Sequence, residues 1–455
     1  VTATQTPEQK IWATLHERFD PDVPVFEHRD WRVERKYSPA KDIVRELARP
    51  MGGHKRFMIL GGIGSGKSTE LYGIADARTA GGPVVFIDLV QHFDKRVGDI
   101  AALDRVQPWE ILLLVGLAVF GAGKSRFGHE WSKELRKRFD EAGRAFEDGE
   151  EGAKFDVGKL ASAVAGLAGG ALGGAVAGPV GAGIGAGLAA LGEAGKSLSW
   201  SFKIGDSSRP TRSDQDARVK RLLEVVNSLI GELQAYGSKL SVFVDGLDRI
   251  KDPRRIDALF VDSALLGSLE CDLVLTGPMA LHWNSLRKHV RKFTTKILTN
   301  APVVDREHPW RWDPGGPGVE LCVELYRRRT GDLPPELVDE TSLHKLAYYS
   351  GGRMREFVRL IRELAGPAWD KSLVAANAEV VEHAIEQLRS ETEAGLGKRH
   401  LDILRELLES PGELPDDPLV GEMLDVCLIL PYPNESEWYF PHPLLLKVKL
   451  PKPGG

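Results

Sequence analysis

The chain has 455 residues, a near-neutral net charge of −5, 42% hydrophobic and 27% charged residues, and 49 glycines. That length supports two to four domains, and the balanced charge gives no global basic field pointing to nucleic acid. Three widely spaced cysteines (Cys271, Cys322 and Cys427) form no Cys-x-x-Cys pair, and the twelve histidines form no His-Glu-x-x-His, so the only metal expected is a nucleotide-bound Mg²⁺.

No basic segment followed by an apolar stretch opens the sequence, so a cytoplasmic protein is expected. Residues 1–50 are read as an N-terminal segment ending in a helix from Ser38, with Pro39 in its first turn and Ile43, Val44 and Leu47 as its apolar stripe. Trp31 and Tyr37 precede it and are candidates for stacking on a base, although aromatics at such positions more commonly belong to a core.

The apolar run Phe57–Leu60 predicts a buried strand, and helical spacing resumes after Thr69. Between them lies Gly61-Gly62-Ile63-Gly64-Ser65-Gly66-Lys67-Ser68-Thr69, which satisfies the P-loop pattern Gly-x4-Gly-Lys-[Ser/Thr]. Its glycines let backbone N–H groups turn toward phosphates, Lys67 adds positive charge near the β and γ phosphates, and Ser68 can ligate Mg²⁺. ATP with Mg²⁺ is therefore the expected ligand.

Pro83–Asp88 predicts a second strand, and the third does not begin until Leu240. The intervening residues 90–239 form an insertion with structure of its own. Within it, Pro108–Phe120 reads as a buried helix, Glu130–Phe146 as a charged, solvated one, and Asp214–Ala235 as a helix returning to the sheet. Leu160–Gly192 carries no charge and contains Gly166, Gly170, Gly174 and Gly178 at helix-packing spacing, with Pro179 as a turn. It reads as a glycine-rich hairpin for conditional membrane contact or self-association, against a soluble packed hairpin or a mobile loop. Each arm would be roughly 27 Å long, just short of a hydrocarbon core.

Leu240–Asp245 is an apolar strand ending in an acid, the Walker B pattern, so Asp245 is the second expected Mg²⁺ ligand. Asp248 is the candidate for orienting or deprotonating the attacking water, with a pair to Arg249 as the structural alternative. Asp272–Thr276 predicts a further strand, placing Thr276 where a water or γ-phosphate would be sensed. Lys296–Thr299 with Val303 and Val304 supply a fifth. Five strands alternating with helices predict a doubly wound parallel α/β sheet with ligand at the strand C-termini. Arg287, Lys288, Arg291 and Lys292 read as a solvated group, with an arginine finger as the functional alternative.

The P-loop domain is expected to span 51–305, followed by a helical lid at 306–395 with helices at Gly318–Arg329, Pro335–Tyr349 and Gly352–Ala365. Arg353 and Arg355 open the last of these and are candidates to reach nucleotide phosphates. Residues 396–455 predict a winged helix: Lys398–Glu409, then strands Val426–Tyr432 and Glu437–Phe440 around a Pro-Asn-Glu-Ser turn. No Lys or Arg lies between Ser410 and Leu446, so a protein-contact or regulatory role is expected, with DNA disfavoured.

With these motifs in place the sequence resembles the STAND and AAA+ branches of the P-loop NTPases. Val244-Asp245-Gly246-Leu247-Asp248 looks like the NACHT form of Walker B, and the Asp248-Arg249 ending is similar to KAP NTPases, which also carry membrane helices between Walker A and Walker B. Ser350-Gly351-Gly352-Arg353-x-Arg355 looks similar to a sensor 2 segment. The resemblance implies an ATP-controlled switch in which lid and winged helix close over nucleotide, coupled to self-association or a protein partner, in signalling or defence. An origin-recognition-like DNA-binding AAA+ ATPase is the alternative, and a small-molecule P-loop kinase is disfavoured. Thr276-Gly277-Pro278 lacks the arginine often found after the STAND sensor strand, and Gly246 replaces a second carboxylate, so slow hydrolysis is the expectation.

Overall fold

The structure is a computed structural model that describes residues 5–23, 28–93, 99–147, 204–205, 211–235, 238–283, 290–311, 316–433, 438–447 and 449–450. The glycine-rich Leu160–Gly192 segment, Arg287 and Lys288 lie outside the described residues. Among the described residues, no helix is long and apolar enough to cross a membrane. Contacts divide the chain into two compact units, one of Pro39–Leu60 and Glu70–Ile297, the other of Val1–Ser38, Gly61–Thr69 and Leu298–Gly455.

The first unit is an α/β sheet domain. Five strands, β1 (Arg56–Leu60), β2 (Val84–Asp88), β3 (Ser241–Asp245), β4 (Asp272–Gly277) and β5 (Thr294–Ile297), run parallel in the order β2-β3-β4-β1-β5. Apolar runs such as Val242–Val244 and Leu273–Leu275 are buried along their whole length, as a parallel sheet covered on both faces requires. Helices Pro108–Phe127 and Ala217–Gln234 contribute to the same core through Leu112, Val115, Leu222 and Val226.

The insertion thus supplies part of this core. Its helix Pro108–Phe127 extends about two turns past the expected Phe120, ending in a left-handed Gly128. Helix Lys133–Arg144 buries Leu135 and Phe139 while its charges pair along the surface, Arg144 with Asp140 at 2.9 Å and Arg221 with Glu141 at 2.8 Å.

The fifth strand differs from the expectation. It begins at Thr294 and stops at Ile297, so Leu298, Thr299, Val303 and Val304 are not part of it. As an edge strand paired, among the described residues, with β1 alone, it leaves Thr294 and Thr295 exposed. Val303 and Val304 instead join the hydrophobic core of the second unit, with Cys322 and Leu346. An apolar pair satisfies a helical core as well as a sheet, and periodicity over two residues cannot separate the two.

The second unit is largely helical. Helix Pro7–Arg18, which the sequence reading passed over, opens with a capping box between Thr6 and Gln9. It packs on helix Met354–Asp370, where Trp12 Nε1 donates to the Leu373 carbonyl at 2.7 Å. Helices Pro317–Thr330, Glu340–Tyr349 and Ala378–Glu393 complete the lid. Pro335–Tyr349 is not one helix: a short 3-10 turn covers Pro335–Leu337, and extended Asp339 then caps a new helix by accepting the Ser342 N–H at 2.9 Å.

Lys398–Glu409, Leu419–Asp425 and the antiparallel pair β6 (Ile429–Tyr432) and β7 (Trp438–Pro441) follow as helix, helix and hairpin, the winged-helix order. Tyr432 and Trp438 face each other in the register, buried, and hold the hairpin to the lid core.

Candidate functional site

The P-loop leaves β1 directly after Leu60, and Lys67 opens the helix Lys67–Arg78. Between them Gly64 and Gly66 take left-handed backbone, φ +82° and +97°, which side chains rarely adopt. The Ser65 N–H closes a turn onto the Gly62 carbonyl at 3.1 Å. Lys67 is buried and its ammonium donates to the Gly61 and Gly62 carbonyls at 2.7 and 2.9 Å. Ser65 Oγ is fully buried with no hydrogen-bond partner among the described residues. A helix N-terminus, an ammonium and a buried hydroxyl in one loop make a fit for phosphate.

The P-loop clusters with the helical unit, and the contacts explain why. Arg353 directs Nε and Nη2 at the Ile63 carbonyl, 3.1 and 2.8 Å, while its Nη1 pairs with Glu356 at 3.0 Å. The Arg355 N–H donates to the Gly64 carbonyl at 3.3 Å, and its guanidinium pairs with Asp22 at 2.5 Å. Both arginines therefore meet the P-loop, and the bonds they make there are to its main chain. Cys427, left-handed at φ +62°, sits with Sγ 4.0 Å from the Ile63 carbonyl oxygen.

Helix Met354–Asp370 starts two residues later than expected because Gly351 and Gly352 both have positive φ, +62° and +73°. That turn is anchored on three sides. Tyr432 donates its hydroxyl to the Gly351 carbonyl at 2.9 Å, Ser350 Oγ accepts the Gly352 N–H at 3.2 Å, and the Gly352 carbonyl accepts the Ala301 N–H at 3.0 Å. His442, fully buried beside it, has its pKa pushed down to about 3 by burial and by the Arg353 charge. Burial likewise raises the Tyr432 phenol well above its ordinary value.

Arg35 is a residue the sequence reading missed. A Cβ added to Gly66 would lie 2.3 Å from its Nη2, so the guanidinium rests against the P-loop. Nothing in its spacing marks it out among the neighbouring Arg32 and Lys36. Arg35 also lines a 260 Å³ cavity bounded by Tyr37, Leu298, Ala301 and Pro317. Of the two aromatics expected to meet a base, Tyr37 lines this cavity and is 48% exposed, whereas Trp31 is buried, stacked on His28 at 3.7 Å and covered by Arg329 at 4.9 Å. Trp31 is thus a core residue.

In the sheet unit, the C-terminal strand ends carry the acids. Asp245 is buried, and its Oδ1 accepts from the Gly246 N–H at 2.9 Å and from Thr276 Oγ1 at 3.0 Å. Asp248 lies in the 3-10 turn Leu247–Arg249, with Oδ1 3.5 Å from Thr276 Oγ1. These three predicted residues are brought together. Asp88, register partner of Asp245 on β2, adds a carboxylate that sequence reading passed over, although its apolar run ending in acid repeats the Walker B signal. Gly246 has φ +95°, and a Cβ there would lie 2.9 Å from Val90 Cγ2 and 3.1 Å from Val90 N, which is why this position does not hold a second carboxylate.

Of the two predicted Mg²⁺ ligands, Ser68 is exposed in the P-loop and Asp245 is buried at the tip of β3; a hydroxyl and a carboxylate are each the kind of oxygen donor Mg²⁺ takes. Among the described residues no group of three or more His, Cys, Asp or Glu could hold a metal. A magnesium ion held by one or two such donors commonly draws its other ligands from phosphate and water.

In sequence, β1 runs through the P-loop into the helix Lys67–Arg78, and β1 lies between β4 and β5 in the parallel sheet. The chain has a P-loop-type α/β fold. No family model matches it, and no curated protein matches it. Solved structures similar to it include ORC from Drosophila bound to DNA, at 12% identity and TM-score 0.39, covering 97% of this chain and 90% of that one. Cdc6p from Pyrobaculum aerophilum is similar at 13% identity and TM-score 0.37, covering 94% of each chain. ORC1 from Aeropyrum pernix in complex with DNA follows at 11% and 0.40, covering 93% and 91%.

Proposed function

We propose that this protein binds Mg-ATP and works as a slowly hydrolysing molecular switch of the STAND/AAA+ kind. Gly61–Thr69 and Arg35 hold the phosphates, Tyr37 meets the base, Ser68 and Asp245 hold Mg²⁺, and Asp248 with Thr276 orients the attacking water. The observation that carries the switch reading is the double tie from the lid arginines to the Ile63 and Gly64 carbonyls. A phosphate entering the loop changes the same main chain that the lid grips, so occupancy is felt by the lid and wing. A ligand shifts such an equilibrium only through contacts that differ between states, and this loop supplies them.

A protein partner is preferred here to duplex DNA because several of the wing's described cations are engaged: Arg399 pairs with Asp417, Arg405 with Asp402 at 2.9 Å and Lys447 with Glu382 at 2.7 Å, while Lys398 is exposed. A cation that already has a carboxylate partner has less to gain from a phosphate. Self-association or membrane contact through Leu160–Gly192 is the proposed output.

The test is nucleotide titration and turnover for the full chain and for Lys67→Ala. ATP binding by the parent and its loss in a folded variant are expected. Equal affinity and turnover in both would overturn the reading, and salt-dependent duplex binding by the full chain would favour an origin-recognition-like role.

A further inference from the structure

The two lid arginines bear on the P-loop in a way that fixes its geometry. In a trans peptide the C=O and N–H point to opposite sides. Arg353 takes the Ile63 carbonyl on two nitrogens, which turns the Gly64 N–H away from the lid. The Arg355 N–H takes the Gly64 carbonyl at 3.3 Å, and the Ser65 N–H of that peptide turns back onto the Gly62 carbonyl at 3.1 Å, so the loop is held from the lid and from within. With the Ile63 carbonyl held on one side, the Gly64 N–H is presented on the other, the arrangement a phosphate cradle needs. Gly64 has no side chain to oppose the approach: its Cβ would lie 3.0 Å from Arg355 Cβ and 3.5 Å from Arg353 Nη2.

Arg353 is itself held. Glu356 takes its remaining Nη1 at 3.0 Å, both side chains are largely buried, and the Gly351-Gly352 turn anchored by Tyr432 sets its backbone. A guanidinium fixed by a carboxylate on one edge and a carbonyl on the other is pre-organised, and charge-assisted bonds are the stronger kind.

We propose that Arg353 is a positioning residue that shapes the P-loop main chain for phosphate, rather than a group that touches the terminal phosphate. The inference rests on the nucleotide-binding reading above. It makes a distinction that can be measured. A residue on the γ-phosphate discriminates ATP from ADP, whereas a residue that orients the cradle serves both equally.

The experiment measures ATP and ADP dissociation constants for the parent, Arg353→Ala, Arg353→Lys and Glu356→Gln, with a thermal melt of each. Arg353→Ala should weaken both nucleotides by the same factor, about tenfold, as expected for loss of a charged hydrogen bond. Arg353→Lys should recover part of it, because an ammonium can reach one carbonyl but lacks the two-nitrogen fork, and Glu356→Gln should fall between. In nucleotide-free protein, amide exchange at Gly64 should quicken in Arg353→Ala. If that variant does not fold, Arg353→Lys and Glu356→Gln carry the same comparison. Loss confined to ATP, or unchanged affinity for both nucleotides with parent-like exchange, would overturn the inference. A parent that binds neither nucleotide would overturn the nucleotide reading itself, and this inference with it.

Discussion

Thr276 Oγ1 donates to the Asp245 carboxylate at 3.0 Å and accepts the Gly246 N–H at 2.9 Å, so the tip of β4 holds the acid at the tip of the neighbouring β3. Thr276→Val keeps the shape of the side chain and removes both bonds. The Gly246 N–H retains Asp245 Oδ1 at 2.9 Å, so the sheet should stay folded while the carboxylate loses its aim. ATP affinity should stay within about threefold and single-turnover hydrolysis should drop about tenfold, the scale of one hydrogen bond. An unchanged rate would make Thr276 a packing residue only.

Gly352 is the position where the lid turn tolerates no side chain. A Cβ there would stand 1.9 Å from the Ala301 carbonyl oxygen, a main-chain atom that cannot swing aside, and φ is +73°. Gly352→Ala should destabilise the helical unit by about 3 kcal/mol in denaturant unfolding, in the range of strained backbone combined with overpacking. Gly53→Ala is the control, since nothing lies within 4 Å of its Cβ position. Equal midpoints for the two variants would show that the turn relaxes freely.

Acid should loosen the same region. His442 is neutral in the fold, with a pKa near 3 against an ordinary value of 6.5. The unfolded chain therefore binds more protons between these values, so the contribution is complete above about pH 6.5 and is lost as pH falls toward 3. At pH 5 the loss relative to pH 7 is about 2 kcal/mol. His442→Asn keeps an acceptor for the Leu444 N–H, now 3.4 Å from Nδ1, and should flatten this part of the stability profile. A variant whose melting temperature falls between pH 7 and 5 as steeply as the parent's would assign the acid sensitivity elsewhere.

Much of this protein was determined by local sequence. Buried strands announce themselves as apolar runs, and four of the five appear within a residue or so of their predicted places. The P-loop is legible because its chemistry is main-chain chemistry, and glycines at the left-handed positions 64 and 66 are its direct requirement. Asp245, Asp248 and Thr276 were readable because acids and hydroxyls at strand ends stand out against apolar neighbours.

What the sequence left open depended on contacts between residues hundreds of positions apart. Val303 and Val304 joined a helical core instead of β5, since two apolar residues suit either. Trp31 and Tyr37 looked alike as aromatics, and only packing against Arg329 and His28 separated a core ring from an exposed one. Arg35 has no pattern at all until the fold brings it against Gly66. The grip of Arg353 on the Ile63 carbonyl belongs to the same class: the sequence supplied an arginine after two glycines, and the tertiary structure decided which oxygen it holds. Spacing encodes which face of an element is buried, whereas the partner of a charged side chain is set by what the rest of the chain places opposite it.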